Sequence, residues 1–218
     1  MTEESKPAVF KARQETHRQY GLNLHGLIGL MIAIWLAGCA STPEPTAEWR
    51  NPEFAGKLTN ILVISVTSRS TRQRVIEDLF VTALSDHGLG TTTGYSLITL
   101  SRALSRDTLQ TAIRQGNIDG IIIARIAAID KNAGEERLLR RAAHRNFYDD
   151  YEHALQETGA GYAPSLGAAV LEISLYNAGS QQLIWSLQSD VLDPQQPRHQ
   201  IEEWVRRSIK HLHQHALI

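Results

Sequence analysis

Apolar and polar residues alternate along this chain in two different rhythms. "NILVISV" (60–66) is almost continuously apolar and β-branched, which predicts a strand buried on both faces, the habit of parallel strands. In the stretch that follows, Ile76, Leu79, Phe80, Ala83 and Leu84 recur at helical spacing, with Ser70 or Thr71 as the cap and Gly88 as the stop. "TTTGYSLITL" (91–100) reads as a weaker strand. "SRDTLQTAIRQGN" (105–117) reads as a second helix, with Leu109, Ala112 and Ile113 inward and Gly116 ending it. "IDGIIIARIAAID" (118–130) repeats the fully apolar strand signal. Late in the chain the rhythm becomes strict alternation: Leu171, Ile173 and Leu175, then Leu183, Trp185 and Leu187, each set on one face. The turn "NAGS" around Gly179 joins them into a hairpin with one covered side. A last helix carries Ile201, Trp204, Val205, Ser208 and Leu212 on one stripe. The order β-α-β-α-β, then β-hairpin and helix, predicts an α/β domain: one mixed sheet with helices packed on it.

The segment 131–165, between the third strand and the hairpin, reads in two ways. Leu139, Ala143, Phe147 and Tyr151 at spacing four describe an inserted helix supported by pairs such as Glu136 with Arg140. The alternative is a long loop on a sheet edge, where Arg140 and Arg141 beside Phe147, Tyr148 and Tyr151 form a partner-contact surface.

The first 56 residues follow neither rhythm. Lys6, Lys11, Arg13 and Arg18 precede an apolar stretch from Gly26 to Ala40. As a helix it would span roughly 22 Å, against about 30 Å of bilayer hydrocarbon, which suits the core of a signal peptide better than a permanent span. The stretch ends in Leu36-Ala37-Gly38-Cys39, which resembles the lipobox of bacterial lipoprotein precursors. The resemblance implies diacylglyceryl attachment to the Cys39 thiol and cleavage between Gly38 and Cys39. It further implies a mature protein held by membrane lipid through acylated Cys39. Residue 40 is Ala rather than the Asp associated with inner-membrane retention, which implies an outer-membrane anchor and a periplasmic domain. "ASTPEPTAEWRNPEFAG" (40–56) follows, with Pro43, Pro45 and Pro52 among small polar residues, and reads as an extended tether. The chain thus divides into a removed signal peptide (1–38), a lipidated cysteine and tether (39–56), and one globular domain (57–218).

Charge narrows the range of partners. The 218-residue chain carries a formal net charge of -1. The four basic and three acidic residues of 1–38 take their charge with them when removed, leaving the remainder at -2. No basic stripe speaks for nucleic acid. A lone cysteine excludes an internal disulfide and every Cys-rich zinc pattern.

Catalytic signals are sparse. "APSLG" (163–167) lacks the first glycine of a nucleophile elbow, and "GLGTTTG" (88–94) lacks the spacing of a phosphate loop. Asp149 and Asp150, adjacent in "FYDDY", read as solvated charge. His211 and His215 in "HLHQH" would share a helix face as a two-ligand metal site does, but no glutamate follows in the H-E-x-x-H manner. Histidines near a helix C-terminus are also favoured by the helix dipole alone. The expectation is therefore surface histidines, no catalytic set, no metal and no cofactor.

From Lys57 to Leu192, the opening "NILVISV" strand, the "RQRVIEDLFVTAL" helix and the "LYNAGSQQLIWS" hairpin are similar to a group of uncharacterised bacterial envelope lipoproteins. A more distant similarity, in topology only, is to the amino-terminal α/β domain of the translocation protein TolB and to lipoprotein activators of penicillin-binding proteins. The anchor, the small domain and the lack of a catalytic set lead to the expectation of a non-enzymatic accessory lipoprotein, of open oligomeric state, that binds another envelope protein through the 131–165 insertion or an exposed hairpin edge. The alternative is a membrane-tethered hydrolase or metal-dependent enzyme using the C-terminal histidines.

Overall fold

The computed structural model describes residues 47–97, 104–128, 146–159, 169–192 and 197–218. The chain separates into Met1–Glu44 and Pro45–Ile218, and every described residue belongs to the second unit. Cys39, Arg140 and Arg141 lie outside the described residues, as do the segments 131–145 and 160–168. No helix among the described residues is long and apolar enough to cross a membrane.

Among the described residues there are six strands: β1 (Ala47–Arg50), β2 (Asn60–Val66), β3 (Gly90–Thr93), β4 (Gly120–Ala128), β5 (Ala169–Asn177) and β6 (Leu183–Val191). Four α-helices accompany them among the described residues: α1 (Ser70–Asp86), α2 (Arg106–Gln115), α3 (Phe147–Gly159) and α4 (Pro197–Gln214). The strands form one mixed sheet in the order β1-β6-β5-β4-β2-β3. β2 runs parallel to β3 and β4, and every other pairing is antiparallel. The α/β class, the mixed sheet and the packed helices all agree with the sequence pattern.

Both faces of the sheet are covered. On one, Ile61, Val63, Ile122, Leu171, Ile173, Trp185 and Leu187 meet Ile76, Phe80 and Leu84 of α1 and Ile201, Trp204, Val205, Ile209 and Leu212 of α4. On the other, Leu62, Ile64, Ile121, Ile123, Tyr176 and Leu183 meet Leu109 of α2 and Phe147, Tyr148, Tyr151 and Ala154 of α3. Two covered faces explain why β2 and β4 lack polar alternation: successive side chains point to opposite faces, and neither face meets water. Each fully buried Leu, Ile or Phe contributes about 1.5–3 kcal/mol relative to exposure.

The hairpin departs from expectation in a physically informative way. It is covered on both sides, not one, and the register slips between the pairs Leu175↔Trp185 and Tyr176↔Leu183. That irregularity turns Leu183 to the opposite face from Trp185 and Leu187, because one extra residue inverts the side-chain alternation. The turn's left-handed residue is Gln181 (φ 63), not Gly179, and the Asn177 side chain accepts a hydrogen bond from the Ser180 N–H at 2.7 Å.

Helix ends show the same mixture of agreement and correction. Gly88 adopts φ 80 and closes α1 in a Schellman arrangement, Leu89 N–H to Leu84 C=O and Gly88 N–H to Ser85 C=O. At the start of α1 neither Ser70 nor Thr71 is the cap: Arg69 occupies that position and makes no side-chain capping bond. Helix α2 is capped by Ser105, whose hydroxyl accepts from Thr108 N–H at 3.2 Å. Its left-handed stop is Asn117 (φ 49) rather than Gly116.

Two segments change character. β1 lies within the stretch expected to be tether, so the sheet begins at Ala47 rather than after residue 56. Helix α3 lies within 131–165, and the face carrying Phe147, Tyr148, Tyr151 and Ala154 is interior.

Candidate metal centre

α4 lies on the sheet because its stripe of Ile201, Trp204, Val205, Ser208, Ile209 and Leu212 is apolar or self-satisfied; the Ser208 hydroxyl donates to Trp204 C=O at 2.7 Å. His211 and His215 flank that stripe one turn apart, the second held in helical register by its N–H to the His211 C=O at 2.9 Å. β1 lies along β6, and its Glu48 stands opposite Leu187, one of the residues that face α4. The alternation of the strand therefore directs the Glu48 side chain toward the end of α4 and Trp49 toward the other core.

The result is a convergence of three side chains from the two extremes of the domain. Glu48 Oε2 is 3.0 Å from His211 Nδ1, and Glu48 Oε1 is 3.0 Å from His215 Nε2. The buried Trp185 indole N–H donates to the same Oε1 at 2.6 Å. One ligand atom from each of Glu48, His211 and His215 lies within 4.8 Å of the other two. The side chains are 23%, 20% and 35% exposed respectively, so the cluster opens to solvent on one side. His213 points elsewhere, with its ring centroid 5.6 Å from that of His87.

Chemically, two imidazoles and a carboxylate are the donor set of a borderline transition ion, and three protein ligands are one short of tetrahedral coordination. The set is not a copy of a hydrolytic zinc helix. Leu212, fully buried, occupies the place where H-E-x-x-H would put its general base. Sequence reasoning found His211 and His215 as a pair and missed Glu48, which lies 163 residues from His211. The signal was one glutamate among three, Glu44, Glu48 and Glu53, in a segment with tether composition.

The remaining sequence candidates are placed differently. Phe147, Tyr148 and Tyr151 are not on a contact surface: they are 0%, 4% and 4% exposed. They fill the core because the second sheet face needs a cover, and α3 supplies it. The Tyr151 hydroxyl accepts the Leu104 N–H at 2.9 Å, and burial pushes its phenol above the ordinary value. Asp149 is at the surface, 3.3 Å from Arg106, as solvated charge should be. Asp150, by contrast, is buried and accepts from the Tyr176 hydroxyl at 2.6 Å.

A second group of buried charges belongs to the scaffold. Arg125 on β4 donates through Nε to Glu172 on β5 at 2.6 Å and through a terminal nitrogen to Glu157 on α3 at 2.8 Å. These bonds pin α3 to the sheet from the middle of a polar strip that also holds Ser174, Ser186 and Gln188.

Comparison with known proteins adds no family. No protein family and no curated protein matches the chain. Among solved structures, the PelC dodecamer from Paraburkholderia phytofirmans in space group P6 gives a TM-score of 0.39 at 8% identity, covering 74% of this chain and 92% of that one. A point variant of that protein in space group C2 gives 0.36 at 9% identity, covering 73% and 94%. A PDZ domain protein from Parabacteroides distasonis gives 0.31 at 11% identity, covering 74% of this chain and 33% of that one. Scores at this level carry no argument about activity.

Proposed function

We propose that the chain is a lipid-anchored accessory protein of the bacterial envelope, acylated at Cys39 on the outer membrane, whose periplasmic α/β domain binds another envelope protein and performs no catalysis of its own. The observation that carries this reading is Leu36-Ala37-Gly38-Cys39 at the end of a short apolar core behind a basic segment. Small residues at 37 and 38 suit the narrow cleft of a processing peptidase, and several acyl chains together anchor stably where one does not. β1 beginning at Ala47 supports a short tether: residues 40–46, fully extended, reach about 20–25 Å. The domain then works close to the lipid surface. Burial of Phe147, Tyr148 and Tyr151 shifts the proposed contact onto the arginines at 140 and 141.

The test is intact-mass analysis of the membrane-bound protein. A mature chain beginning at Cys39 and carrying diacylglyceryl and acyl groups is the expected product, and Cys39→Ala should accumulate the full-length, unmodified precursor. A Cys39→Ala product that is still cut between residues 38 and 39 would overturn the assignment.

A further inference from the structure

We propose that Glu48, His211 and His215 form a binding site for one divalent transition-metal ion of the zinc type, which joins the first strand of the domain to its last helix. The site does not depend on the lipoprotein reading. Its first support is geometric. An ion with ligand bonds of about 2.0–2.1 Å in tetrahedral arrangement separates its ligand atoms by roughly 3.3 Å. The two carboxylate-to-imidazole separations here are both 3.0 Å, and all three ligand atoms fall within 4.8 Å of one another. An ion can therefore enter with side-chain torsions alone, without moving β1 or α4.

The second support is preparation of the ligands. Trp185 Nε1–H holds Glu48 Oε1 at 2.6 Å from below, on a side chain that is itself fully buried. Outer-shell donors of this kind orient metal-binding carboxylates. His211 sits on α4, whose face is fixed by six buried residues, and His215 lies in the turn just after the helix, tied back to it by its N–H to the His211 C=O at 2.9 Å, while Glu48 stands on a strand of the sheet. The third support is selection. Two nitrogen donors and one carboxylate disfavour calcium and magnesium, which want oxygen shells, and favour zinc, cobalt, nickel or copper. Three protein ligands and a half-exposed His215 leave a position for water.

Binding at this site should stabilise the native state in proportion to the logarithm of free metal, because the unfolded chain separates Glu48 from the histidines. The experiment is titration of the full-length chain, purified in detergent and stripped of metal, with Co2+ followed by Zn2+. Wild type should show one saturable Co2+ absorption spectrum per chain, displaced by Zn2+, and a melting temperature that rises with Zn2+. Glu48→Gln and His215→Ala should each weaken binding by about 100-fold or more, exceeding the loss typical of outer-shell changes. His213→Ala, whose ring leans on His87, should bind as wild type does. Because His215 is the most exposed of the three ligands, its variant is the one expected to keep the native circular dichroism spectrum. Absence of a saturable spectrum in wild type overturns the proposal. So does a Glu48→Gln chain that binds as tightly as wild type, or a His213→Ala chain weakened as much as His215→Ala.

Discussion

Glu77 offers the sharpest energetic test of the scaffold. It is fully buried on the sheet-facing side of α1, and its carboxylate collects the Ser65 N–H at 2.9 Å, the Gln73 side-chain amide at 3.1 Å and the Tyr95 N–H at 2.8 Å. It thereby ties the ends of β2 and β3 to the helix between them. Glu77→Leu removes every one of these acceptors. Orphaning a buried N–H costs about 1–3 kcal/mol; Ser65 is buried and Tyr95 only partly so, which places the total loss at roughly 2–4 kcal/mol. Glu77→Gln keeps one oxygen and should cost about half as much. The pH dependence gives a second, independent check. Burial raises the Glu77 pKa above its ordinary 4.5, outweighing the N–H donors that pull it down. A carboxyl whose folded pKa is raised contributes its stability fully below the unfolded value and loses it as pH rises through the folded one. The gap in stability between wild type and Glu77→Leu should therefore be widest in acid and narrow toward neutrality. Thermal unfolding followed by circular dichroism, from about pH 4 to pH 8, measures it. A gap that widens as pH rises would show that the donors outweigh burial, and would refute the reasoning.

Two further outcomes follow from the buried polar groups. Tyr151→Phe deletes only the oxygen that accepts from Leu104 N–H, and should lower stability by about 1–3 kcal/mol in the same thermal assay; a change below about 0.5 kcal/mol would mean that the amide finds another partner. Arg125→Met removes the guanidinium from Glu172 and should cost about 3–5 kcal/mol, whereas Arg125→Met with Glu172→Leu should recover most of it. A double variant whose loss equals the sum of the two single losses in urea titrations would contradict the coupling.

Elements whose pattern is local were legible in the sequence. β2 and β4 announced themselves as unbroken apolar runs, α1 and α4 by helical spacing, and the end of α1 by Gly88, because each signal is written within one or two turns of chain. What escaped is what depends on distant partners. "AEWR" has no strand pattern of its own, and it is a strand because the edge of β6 supplies the hydrogen bonds. Leu183 faced the wrong way in a strict alternation because the slip at Leu175/Tyr176 carries no sequence mark. The aromatic cluster at Phe147, Tyr148 and Tyr151 was visible as a cluster, but whether it points inward depends on a sheet face that other segments leave uncovered. Glu48 could not be joined to His211 and His215 without the β1–β6 register.

That register also bears on how the domain is completed. Among the described residues β1 has one strand partner, β6, and about 140 residues separate the paired positions Ala47 and Gln188. Pairings of such high sequence separation carry a large loop-closure entropy and slow the folding of the chains that contain them. A chain that emerges amino-terminus first holds β1 unpaired until β6 has followed it, while β2, α1 and β3 can already assemble among themselves. The outermost strand is thus the first to be made and among the last to find its place.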